Sequence, residues 1–188
     1  MEVKVRPITL KREMLSACNV TVWKPNAEKE PTERFCERLY KAEHSPIRDR
    51  WFVIEIKDIP YWVSTHLVRH HIGYTPYVST QREDRIEYTG SRADRKQGEL
   101  VNMRITLNAQ AFISVSRKRL CGLAHKKTRK LWYDVVAELA KVDKELANNC
   151  VPECIYRGFC PEMKTCHYAE STGAKIQREE YIKGYTVI

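Results

Sequence analysis

The order of apolar and polar positions in the first part of the chain predicts two strands and two helices. Valine and isoleucine recur through residues 3–10, and residues 51–56 are rich in β-branched and aromatic side chains, so both segments are predicted as strands. A short helix is predicted at residues 11–17. A second helix is predicted at residues 31–42, where Pro-Thr-Glu begins the segment and apolar side chains recur on one side.

The middle of the chain is predicted to pass from a helix into a strand. Pro60 begins this helix in the prediction, and Gly73 and Pro76 end it, because neither residue type suits a helix interior. Residues 78–81 follow as a further strand, which is expected to pair with residues 51–56.

The remainder is predicted to be mainly helical. Residues 83–101 are charged, contain two glycines and are predicted as a long loop of the kind that is often functional. Residues 105–125 and 128–148 are predicted as long helices, and residues 179–187 as an edge strand. The second of these helices carries an apolar stripe, which is ordinary core packing: Leu131, Val135, Leu139, Val142 and Leu146. The whole pattern predicts an α+β fold with long helices packed on a small antiparallel or mixed sheet.

Composition bounds the class of protein. The chain has 188 residues, of which 43% are hydrophobic, which suits a single domain spanning residues 1–188. No apolar run is long enough to cross a bilayer, and the basic segment 1–12 lacks the apolar core of a signal peptide, so a cytoplasmic protein is expected. The net charge of +9 favours an anionic small substrate or a nucleic acid. Because the basic residues are spread along the chain, localised anion sites are preferred and nucleic acid is not expected.

Seven cysteines are present, and four of them fall in the C-terminal tail, residues 148–188: Cys150, Cys154, Cys160 and Cys166. An odd count without a signal peptide argues against a disulfide framework. The spacing C-x3-C-x5-C-x5-C lacks the paired C-x2-C knuckles of common zinc sites, so free buried thiols are preferred. Zinc on these four thiols stays open as an alternative, and with it a basic zinc-binding module that binds nucleic acid.

The densest candidate chemistry lies between His66 and Arg82. On a continuous helix His66, Arg69 and His70 share one face, which then carries one fixed cation and two groups that titrate near neutrality. The polar run 78–82 adds two hydroxyls, an amide and a guanidinium, which suit a phosphate or a nucleobase. Metal binding by the two histidines is not expected, because no third ligand is evident nearby.

A second candidate lies on the following predicted helix. Four side chains recur at i, i+4, i+7 and i+11 and share one face: Asn108, Phe112, Val115 and Arg119. An arginine among apolar neighbours needs a partner, which favours Arg119 as a site residue. The alternative is that Arg117, Lys118 and Arg119 form a solvated basic patch.

The first of these stretches resembles the signature of the flavin-dependent thymidylate synthases. Residues 69–71 read Arg-His-His, and Ser79 follows after seven more residues, where the family pattern is Arg-His-Arg, seven residues, Ser. The resemblance covers roughly residues 31–129. The tail run 150–163 resembles a compact branch of the same family.

Two further stretches resemble this family in the same order. Residues 44–46 read His-Ser-Pro and, with Asp49, resemble a His-x-Thr-Pro-x-Glu segment that touches the flavin. The serine and proline are also expected to begin a short helix. The run from Asn108 resembles the family's Asn-x-Arg-Ser helix, which ends in an essential arginine eleven residues on, here Arg119.

The resemblance implies methylation of dUMP at C5, with methylenetetrahydrofolate as carbon donor, FAD as hydride carrier and NADPH as reductant. It also implies a homotetramer whose sites lie between subunits. Its flavin contacts correspond here to His44, Ser45, Asp49, Arg69, His70, His71, Asn108, Gln110, Ser114 and Arg119. Its dUMP contacts correspond to His66, Arg69, Tyr77, Val78, Ser79, Thr80, Gln81, Arg82 and Arg119. Arg119 and Ser79 are the implied catalytic residues.

Several positions depart from the family pattern. His66 stands where a glutamine is usual, residues 76–77 replace an Asn-Glu pair, and an arginine is replaced at three places: His71, Gln81 and Gln110. Arg82 offers a substitute cation for the nucleotide phosphate, and which arginine in 82–104 makes that contact stays open. Because flavin contacts are among the altered positions, a pyrimidine nucleotide hydroxymethylase, which adds water instead of hydride, stays open as an alternative.

Overall fold

A four-stranded antiparallel sheet underlies the part of the chain that the computed structural model describes, residues 1–85 and 90–183. The strands are β1 (Glu2–Pro7), β2 (Trp51–Pro60), β3 (Tyr74–Val78) and β4 (Leu100–Asn108), and their order across the sheet is β1-β2-β4-β3. β2 and β4 form the centre, where Ile54 lies opposite Ile105 and both are fully buried. The predicted α+β fold with a small antiparallel sheet is confirmed.

The central strand β4 shows that the prediction of a loop up to residue 101 and a helix from residue 105 was wrong. Alternate side chains of this strand are buried: Val101, Met103, Ile105 and Leu107. That period of two is the pattern of a strand with one face in the core. The helix begins only at Ala109, directly after the strand.

The segment between β2 and β4 also differs from the prediction. The helix after β2, α3 (Tyr61–Leu67), ends well before Gly73. The strand that was predicted at residues 78–81 lies earlier in the chain, because β3 ends at Val78. β3 pairs with β4 instead of β2, since β4 lies between β2 and β3 in the sheet. Gly73 makes the turn into β3 with a φ of 64°, and its carbonyl accepts the N–H of Asn108 at 3.0 Å.

The other helices of the described residues are α1 (Lys11–Val20), α2 (Glu33–Lys41), α4 (Ala109–Arg119), α5 (Lys126–Val142), α6 (Lys144–Ala147), α7 (Glu153–Arg157) and α8 (Thr172–Lys183). Short 3-10 turns occur at Ser45–Asp49, Glu83–Arg85, Arg92–Asp94 and Tyr168–Glu170. Helix α4 lies in the core, where Phe112 packs edge-on against Phe52 of β2 with 5.3 Å between ring centroids. On its other side Phe112 packs near Trp132 of α5, so α4 joins the sheet to the outer helices.

A buried carboxylate, Asp143, divides the helix that was predicted at residues 128–148. It accepts hydrogen bonds from Tyr40 Oη at 3.1 Å and Arg50 Nε at 3.0 Å. It also accepts the backbone N–H three residues on at 3.4 Å and thereby caps α6. Arg50 and Lys11, whose Nζ lies 3.6 Å from the carboxylate, compensate its buried charge, so this network fixes the corner between α5 and α6. The predicted apolar stripe is buried apart from Val142, which is 38% exposed.

The C-terminal tail contains helices rather than an irregular segment and an edge strand. Helices α7 and α8 pack around a small apolar cluster of Val151, Ile155, Ala174 and Tyr181. The predicted strand is wrong for residues 179–183, which belong to α8, and residues 184–187 lie outside the described part. Among the helices of residues 1–85 and 90–183, none has the length and apolar character needed to cross a membrane.

Candidate functional site

Arg119, the last residue of α4, reaches across to the end of α3. Its Nε donates to His70 Nε2 at 2.9 Å, and its Nη2 donates to the backbone carbonyl of His66. The predicted partner for this arginine is therefore present, and the solvated-patch alternative is wrong for Arg119. Within the described residues no carboxylate pairs with it, so the guanidinium keeps a net positive charge.

His70 is held as a neutral imidazole. Burial, followed by the positive charges of Arg119, His71 and Arg69, lowers the pKa of His70 to about 4. At neutral pH its Nε2 accepts the hydrogen of Arg119, which places the imidazole proton on Nδ1. Burial also lowers the pKa of Arg119, but a guanidinium stays protonated near neutrality.

Tyr74 adds a buried hydroxyl that sequence reasoning missed. It is the first residue of β3, and its ring centroid lies 5.6 Å from that of His70. Its hydroxyl has no hydrogen-bond partner within the described residues, although the side chain is almost fully buried. An unsatisfied buried hydroxyl costs roughly 1–3 kcal/mol, so this position fits a ligand that supplies a hydrogen-bond acceptor. Tyr74 directly follows Gly73, which lies within the family signature, and this position could have identified Tyr74 from the sequence.

The ring of His66 is fixed by protein contacts. Its Nδ1 lies 2.9 Å from Thr128 Oγ1, and its ring centroid lies 5.7 Å from that of Trp62. The ring of His125 also packs on Trp62, with 4.5 Å between ring centroids. Burial, and then the charge of Arg119, lowers the pKa of His66. Thr128, Trp62 and His125 were therefore missed as neighbours of the site.

Arg69 and His71 follow the end of α3, so the predicted helical face shared by His66, Arg69 and His70 does not exist. Both side chains are exposed, and Nδ1 of His71 lies 3.1 Å from the carbonyl of Arg69. In the described part of the chain the guanidinium of Arg69 forms no ion pair. Its position leaves this cation available to an anionic ligand.

A second polar cluster lies around Glu43, on another side of α4. Glu43 accepts a hydrogen bond from Gln110 Nε2 at 2.6 Å and forms an ion pair with Arg117. The guanidinium of Arg117 stacks on the ring of Tyr156, with 3.6 Å from its central carbon to the ring centroid. Ser114 is exposed and donates to the carbonyl of Gln110 at 2.8 Å. The solvated-patch alternative is therefore wrong for Arg117 as well.

A groove of about 430 Å³ opens beside His44. Arg34 and Arg38 of α2 line it, together with an aromatic and several apolar side chains. Ser45 begins a 3-10 turn at the predicted place, although His44 and not Ser45 occupies the N-cap position. His44, Ser45 and Asp49 are all exposed. The groove is basic and suits a ligand that carries phosphates.

Asn108 is the N-cap of α4. Its Oδ1 accepts the N–H of Ala111 at 2.9 Å, and the side chain is buried. Gly73 lies so close that a Cβ there would be 2.7 Å from the amide nitrogen of Asn108. The amide thus fixes the start of α4 against the turn that precedes β3, and so positions the elements that carry Arg119 and Tyr74.

Ser79 lies at the far end of β3, on the open surface of the sheet. Its N–H donates to the carbonyl of Asn102 of β4 at 2.9 Å, and its Oγ accepts the N–H of Asn102 at 3.2 Å. Tyr77, Val78 and Ser79 line a groove of about 480 Å³ that also includes Arg104. Tyr77 is 61% exposed, so its ring is open to a ligand or to another chain.

The residues that follow Ser79 include one paired cation and one unpaired amide. Arg82 is held by Asp84, with Nε–Oδ1 at 2.9 Å and Nη2–Oδ2 at 2.6 Å, and its N–H donates to Thr80 Oγ1 at 3.1 Å. The amide nitrogen of Gln81 is buried and has no partner within the described residues. Arg82 is therefore already neutralised in this state, whereas Gln81 has an unused donor.

The two implied catalytic residues lie near opposite ends of β3. Tyr74 contacts the Arg119 cluster at one end of β3, and Ser79 follows the other end. At about 3.3 Å per strand residue these two positions are roughly 16 Å apart. Ser79 is therefore well removed from the end of β3 at which the Arg119 cluster lies.

Cys150 lies apart from the other three tail cysteines. It belongs to the main apolar core, where burial raises the pKa of its thiol to about 12. The charges that act on it come from Asp143 and Arg117, not from other thiols. The zinc alternative with Cys150 as a ligand is therefore not supported by this geometry. Residues 1–85 and 90–183 contain no group of three or more Cys, His, Asp or Glu side chains that could hold a metal ion.

No family model and no curated protein sequence matches this chain. Its fold, however, is shared with solved structures. Thymidylate synthase X (ThyX) from Helicobacter pylori, crystallised with FAD and dUMP, superimposes with a TM-score of 0.65 over 80% of this chain and 99% of that chain, at 12% identity. This chain has the ThyX fold.

A second similar structure is the UMP/dUMP methylase PolB from Streptomyces cacaoi bound with 5-Br dUMP. It superimposes with a TM-score of 0.61 over 79% of this chain and 94% of that chain, at 10% identity. At such low identities the likeness shows the fold alone. The superpositions span nearly the full length of both of those proteins and about four fifths of this chain.

Proposed function

We propose that this chain is a flavin-dependent thymidylate synthase, which methylates dUMP at C5 with methylenetetrahydrofolate as carbon donor and NADPH as reductant. The observation that carries the proposal is the Arg119 cluster: a half-buried guanidinium without a counter-charge among the described residues, held by neutral acceptors beside the partnerless hydroxyl of Tyr74. This cluster occurs in a fold shared with proteins crystallised with FAD, dUMP or a dUMP analogue.

The donors present suit a pyrimidine ring and an isoalloxazine ring, both of which offer carbonyl oxygens and ring nitrogens. Arg119 still has Nη1 without a partner in the described residues, and Tyr74 has its hydroxyl. Gln81 adds a buried amide that lacks a partner. The basic groove beside His44 suits the pyrophosphate of FAD. On these observations the residues fit the flavin and the nucleotide.

Arg119 is proposed to hold the substrate ring and to stabilise negative charge that develops on it. Its cluster is preorganised, because His70 and the carbonyl of His66 fix the guanidinium before a ligand arrives. Neutral His70 does not cancel the charge of Arg119, and its Nδ1 proton is free to donate to an acceptor. Bound reduced flavin supplies the hydride, while the protein binds, orients and polarises the substrate.

The nucleotide is proposed to lie against the segment that follows β3. Ser79 and the backbone of Tyr77, Val78 and Thr80 grip it, and Arg69 or Arg82 binds the phosphate. Arg69 is the freer of the two, because Arg82 must first exchange Asp84 for the phosphate.

Flavin contacts are proposed for the exposed His44, Ser45 and Asp49 and for His70 and His71. Asn108, Gln110 and Ser114 remain proposed contacts, but all three already have protein partners, and the hydroxyl of Ser114 donates to the carbonyl of Gln110. The carbonyl oxygen of Asn108 caps α4, and the amide of Gln110 is held by Glu43. Their remaining polar atoms are the ones left for a flavin.

A homotetramer with sites between subunits is proposed because Ser79 follows one end of β3, while Tyr74 contacts the Arg119 cluster at the other end. In such an assembly the Ser79 segment of one subunit faces the Arg119 cluster of another. The open groove and the exposed ring of Tyr77 are the surface that a second copy would cover.

The test combines cofactor binding with product analysis. Purified protein supplemented with FAD should show bound flavin absorbance after desalting. Incubation with dUMP, methylenetetrahydrofolate and NADPH should yield a product whose mass corresponds to dTMP. A product heavier by one oxygen would identify the hydroxymethylase instead. A protein that binds no flavin and gives neither product would overturn the proposal.

A further inference from the structure

His66 lies where α3, α4 and α5 meet, and each of these helices holds a different part of it. Its backbone carbonyl accepts a hydrogen bond from Nη2 of Arg119, the last residue of α4. Its Nδ1 lies 2.9 Å from Oγ1 of Thr128, which belongs to the first turn of α5. Its ring packs edge-on against Trp62, one turn earlier on α3, with 66° between the ring planes. The orientation of the imidazole is therefore fixed before a ligand binds.

The hydroxyl of Thr128 decides which ring nitrogen of His66 carries the proton. Thr128 is fully buried, and across the described residues its hydroxyl has a single partner, Nδ1 of His66. If Nδ1 carried the proton, the hydroxyl could only accept, and its own hydrogen would stay buried without an acceptor, which is unfavourable. If the hydroxyl donates to Nδ1 instead, both groups are satisfied. The proton of the neutral imidazole then lies on Nε2.

The surroundings of the ring keep it neutral. Burial lowers the pKa of His66, and the positive charges of Arg119, His125 and Arg69 lower it further. Among the carboxylates of residues 1–85 and 90–183, none forms a hydrogen bond or an ion pair with the ring. The imidazole is therefore uncharged near neutral pH, and its single proton stays on the nitrogen that Thr128 leaves free.

Nε2 of His66 is consequently a donor that no group of the described chain accepts. The two ring nitrogens lie on different sides of the imidazole, so Nε2 points away from Thr128, and the ring is only partly buried. The carbonyl of the same residue holds Arg119, whose Nη1 is a second donor without a partner in the described residues. A carbonyl oxygen brought to this place would satisfy such donors, whereas an amino group would set one donor against another.

We propose that His66 and Arg119 together donate to the oxygen at C4 of the substrate pyrimidine, and that Thr128 is the positioning residue that presents the Nε2 proton of His66. This assignment rests on the proposed function, in which dUMP is the substrate. C4 adjoins C5, the carbon that is methylated, and its oxygen is conjugated with the C5–C6 double bond. Negative charge that develops on the ring is therefore shared by this oxygen, where fixed donors stabilise it. A cytosine ring carries an amino group at C4, so the same donors select uracil nucleotides.

Nitrogen-15 NMR of the histidines tests the tautomer without any substrate. The full chain is labelled at histidine, supplemented with FAD and recorded near neutral pH, and the signals of His66 are assigned by their loss in His66→Gln. We expect long-range proton–nitrogen correlations to place the proton on Nε2. A proton on Nδ1 would overturn the proposal. Because this spectrum needs no turnover, its outcome is separate from a failure of the proposed function.

dUMP and dCMP are matched probes of the C4 contact, because they share the sugar and the phosphate and differ only in the ring. In calorimetric titrations dUMP should bind at least about tenfold more tightly, since dCMP sets donor against donor. His66→Gln, whose amide presents either a donor or an acceptor, should reduce this ratio by about two- to tenfold. Equal affinities in the native protein, or an unchanged ratio in folded His66→Gln, would overturn the proposal alone. Binding of neither nucleotide would overturn the proposed function as well.

Matched variants separate the role of Thr128 from that of an ordinary buried side chain. Thr128→Val removes the hydroxyl, so His66 should show both tautomers and dUMP should bind about two- to tenfold more weakly. Thr128→Ser should restore the native tautomer and affinity. Thr65→Val removes an α3 hydroxyl that donates to the carbonyl of Trp62 at 2.7 Å, and it should change neither property. Native His66 signals in folded Thr128→Val would exclude the positioning role, and the spectrum of the native protein decides the tautomer if that variant does not fold.

Discussion

Arg117 and Arg119 stand two residues apart on α4, and the structure gives them opposite surroundings. Arg117 is paired with the carboxylate of Glu43 and stacked on Tyr156. Arg119 contacts a neutral imidazole and a backbone carbonyl, and it has no carboxylate partner among the described residues. One cation is neutralised by the protein, while the other is oriented but left charged.

The comparison separates an arginine whose charge the protein neutralises from one whose charge the protein leaves uncompensated. The carboxylate of Glu43 neutralises the charge of Arg117, although the buried Nε of Arg117 has no hydrogen-bond partner among the described residues. The acceptors of Arg119 are neutral, so they fix the orientation of its guanidinium but do not neutralise its positive charge. That charge remains available to a bound ligand. Burial alone does not separate the two, since both side chains are partly exposed.

The largest expected effect is on turnover in Arg119→Lys. A lysine keeps the charge but loses the planar fork, so it cannot hold His70, the carbonyl of His66 and a substrate at once. Turnover of dUMP should fall by roughly a hundredfold or more, as for loss of one preorganised donor. Steady-state kinetics at saturating FAD measures this, with thermal unfolding as the control. Unchanged turnover would contradict the assigned role.

The matched variant Arg117→Lys should affect stability instead. It loses the stack on Tyr156 and the fork that reaches Glu43, both in a partly buried setting. We expect the free energy of unfolding to fall by about 1–2 kcal/mol, with turnover per folded enzyme retained. Denaturant unfolding of both variants side by side checks this difference. A hundredfold loss of turnover in folded Arg117→Lys would remove the distinction between the two arginines.

The sequence predicted most of the fold where a single element could be recognised by itself. α1, α2, β1 and the start of β2 lie where the pattern placed them. The main error was β4, whose clear alternation from Val101 to Leu107 was obscured by charged neighbours and by the resemblance of the Asn108 run to a helix. Once β4 was missed, the partner of β3 could not be predicted, because strand order depends on contacts that are distant in sequence.

The site was predictable in part for a similar reason. Arg119 was identified from its helical spacing and apolar neighbours, and the structure gives it the partner that this argument required. The shared face of His66, Arg69 and His70 was wrong because α3 ends at Leu67, a boundary that no glycine or proline marks. His66 and His70 nevertheless both reach Arg119, one through its carbonyl and the other through its ring.

A smaller effect is expected in the pH dependence of stability. The pKa of His70 is lowered to about 4 in the folded protein, against about 6.5 in an unfolded chain. Between these values the unfolded state binds more protons, so the free energy of unfolding should decrease as the pH falls from about 6.5 towards 4. Because His70 is partly exposed, we expect a contribution of no more than about 2 kcal/mol.

His70→Gln is the control for this pH dependence. A glutamine keeps an acceptor for Arg119 but does not titrate, so the variant should lose that part of the slope. Denaturant unfolding at several pH values compares the two proteins. Equal slopes between pH 4 and 6.5 would show that His70 is not held neutral by the fold.

The smallest expected effect concerns Tyr74→Phe, which removes only the buried hydroxyl. In the free protein this hydroxyl has no partner among the described residues, so its loss should leave stability unchanged or raise it by up to about 1 kcal/mol. If the hydroxyl donates to the bound nucleotide or flavin, its loss should weaken that ligand by about 0.5–1.5 kcal/mol, or roughly two- to tenfold in Kd. Thermal unfolding and titrations with FAD and dUMP measure the two effects separately. A destabilised variant with unchanged affinities would mean that the hydroxyl serves the fold and not the ligand.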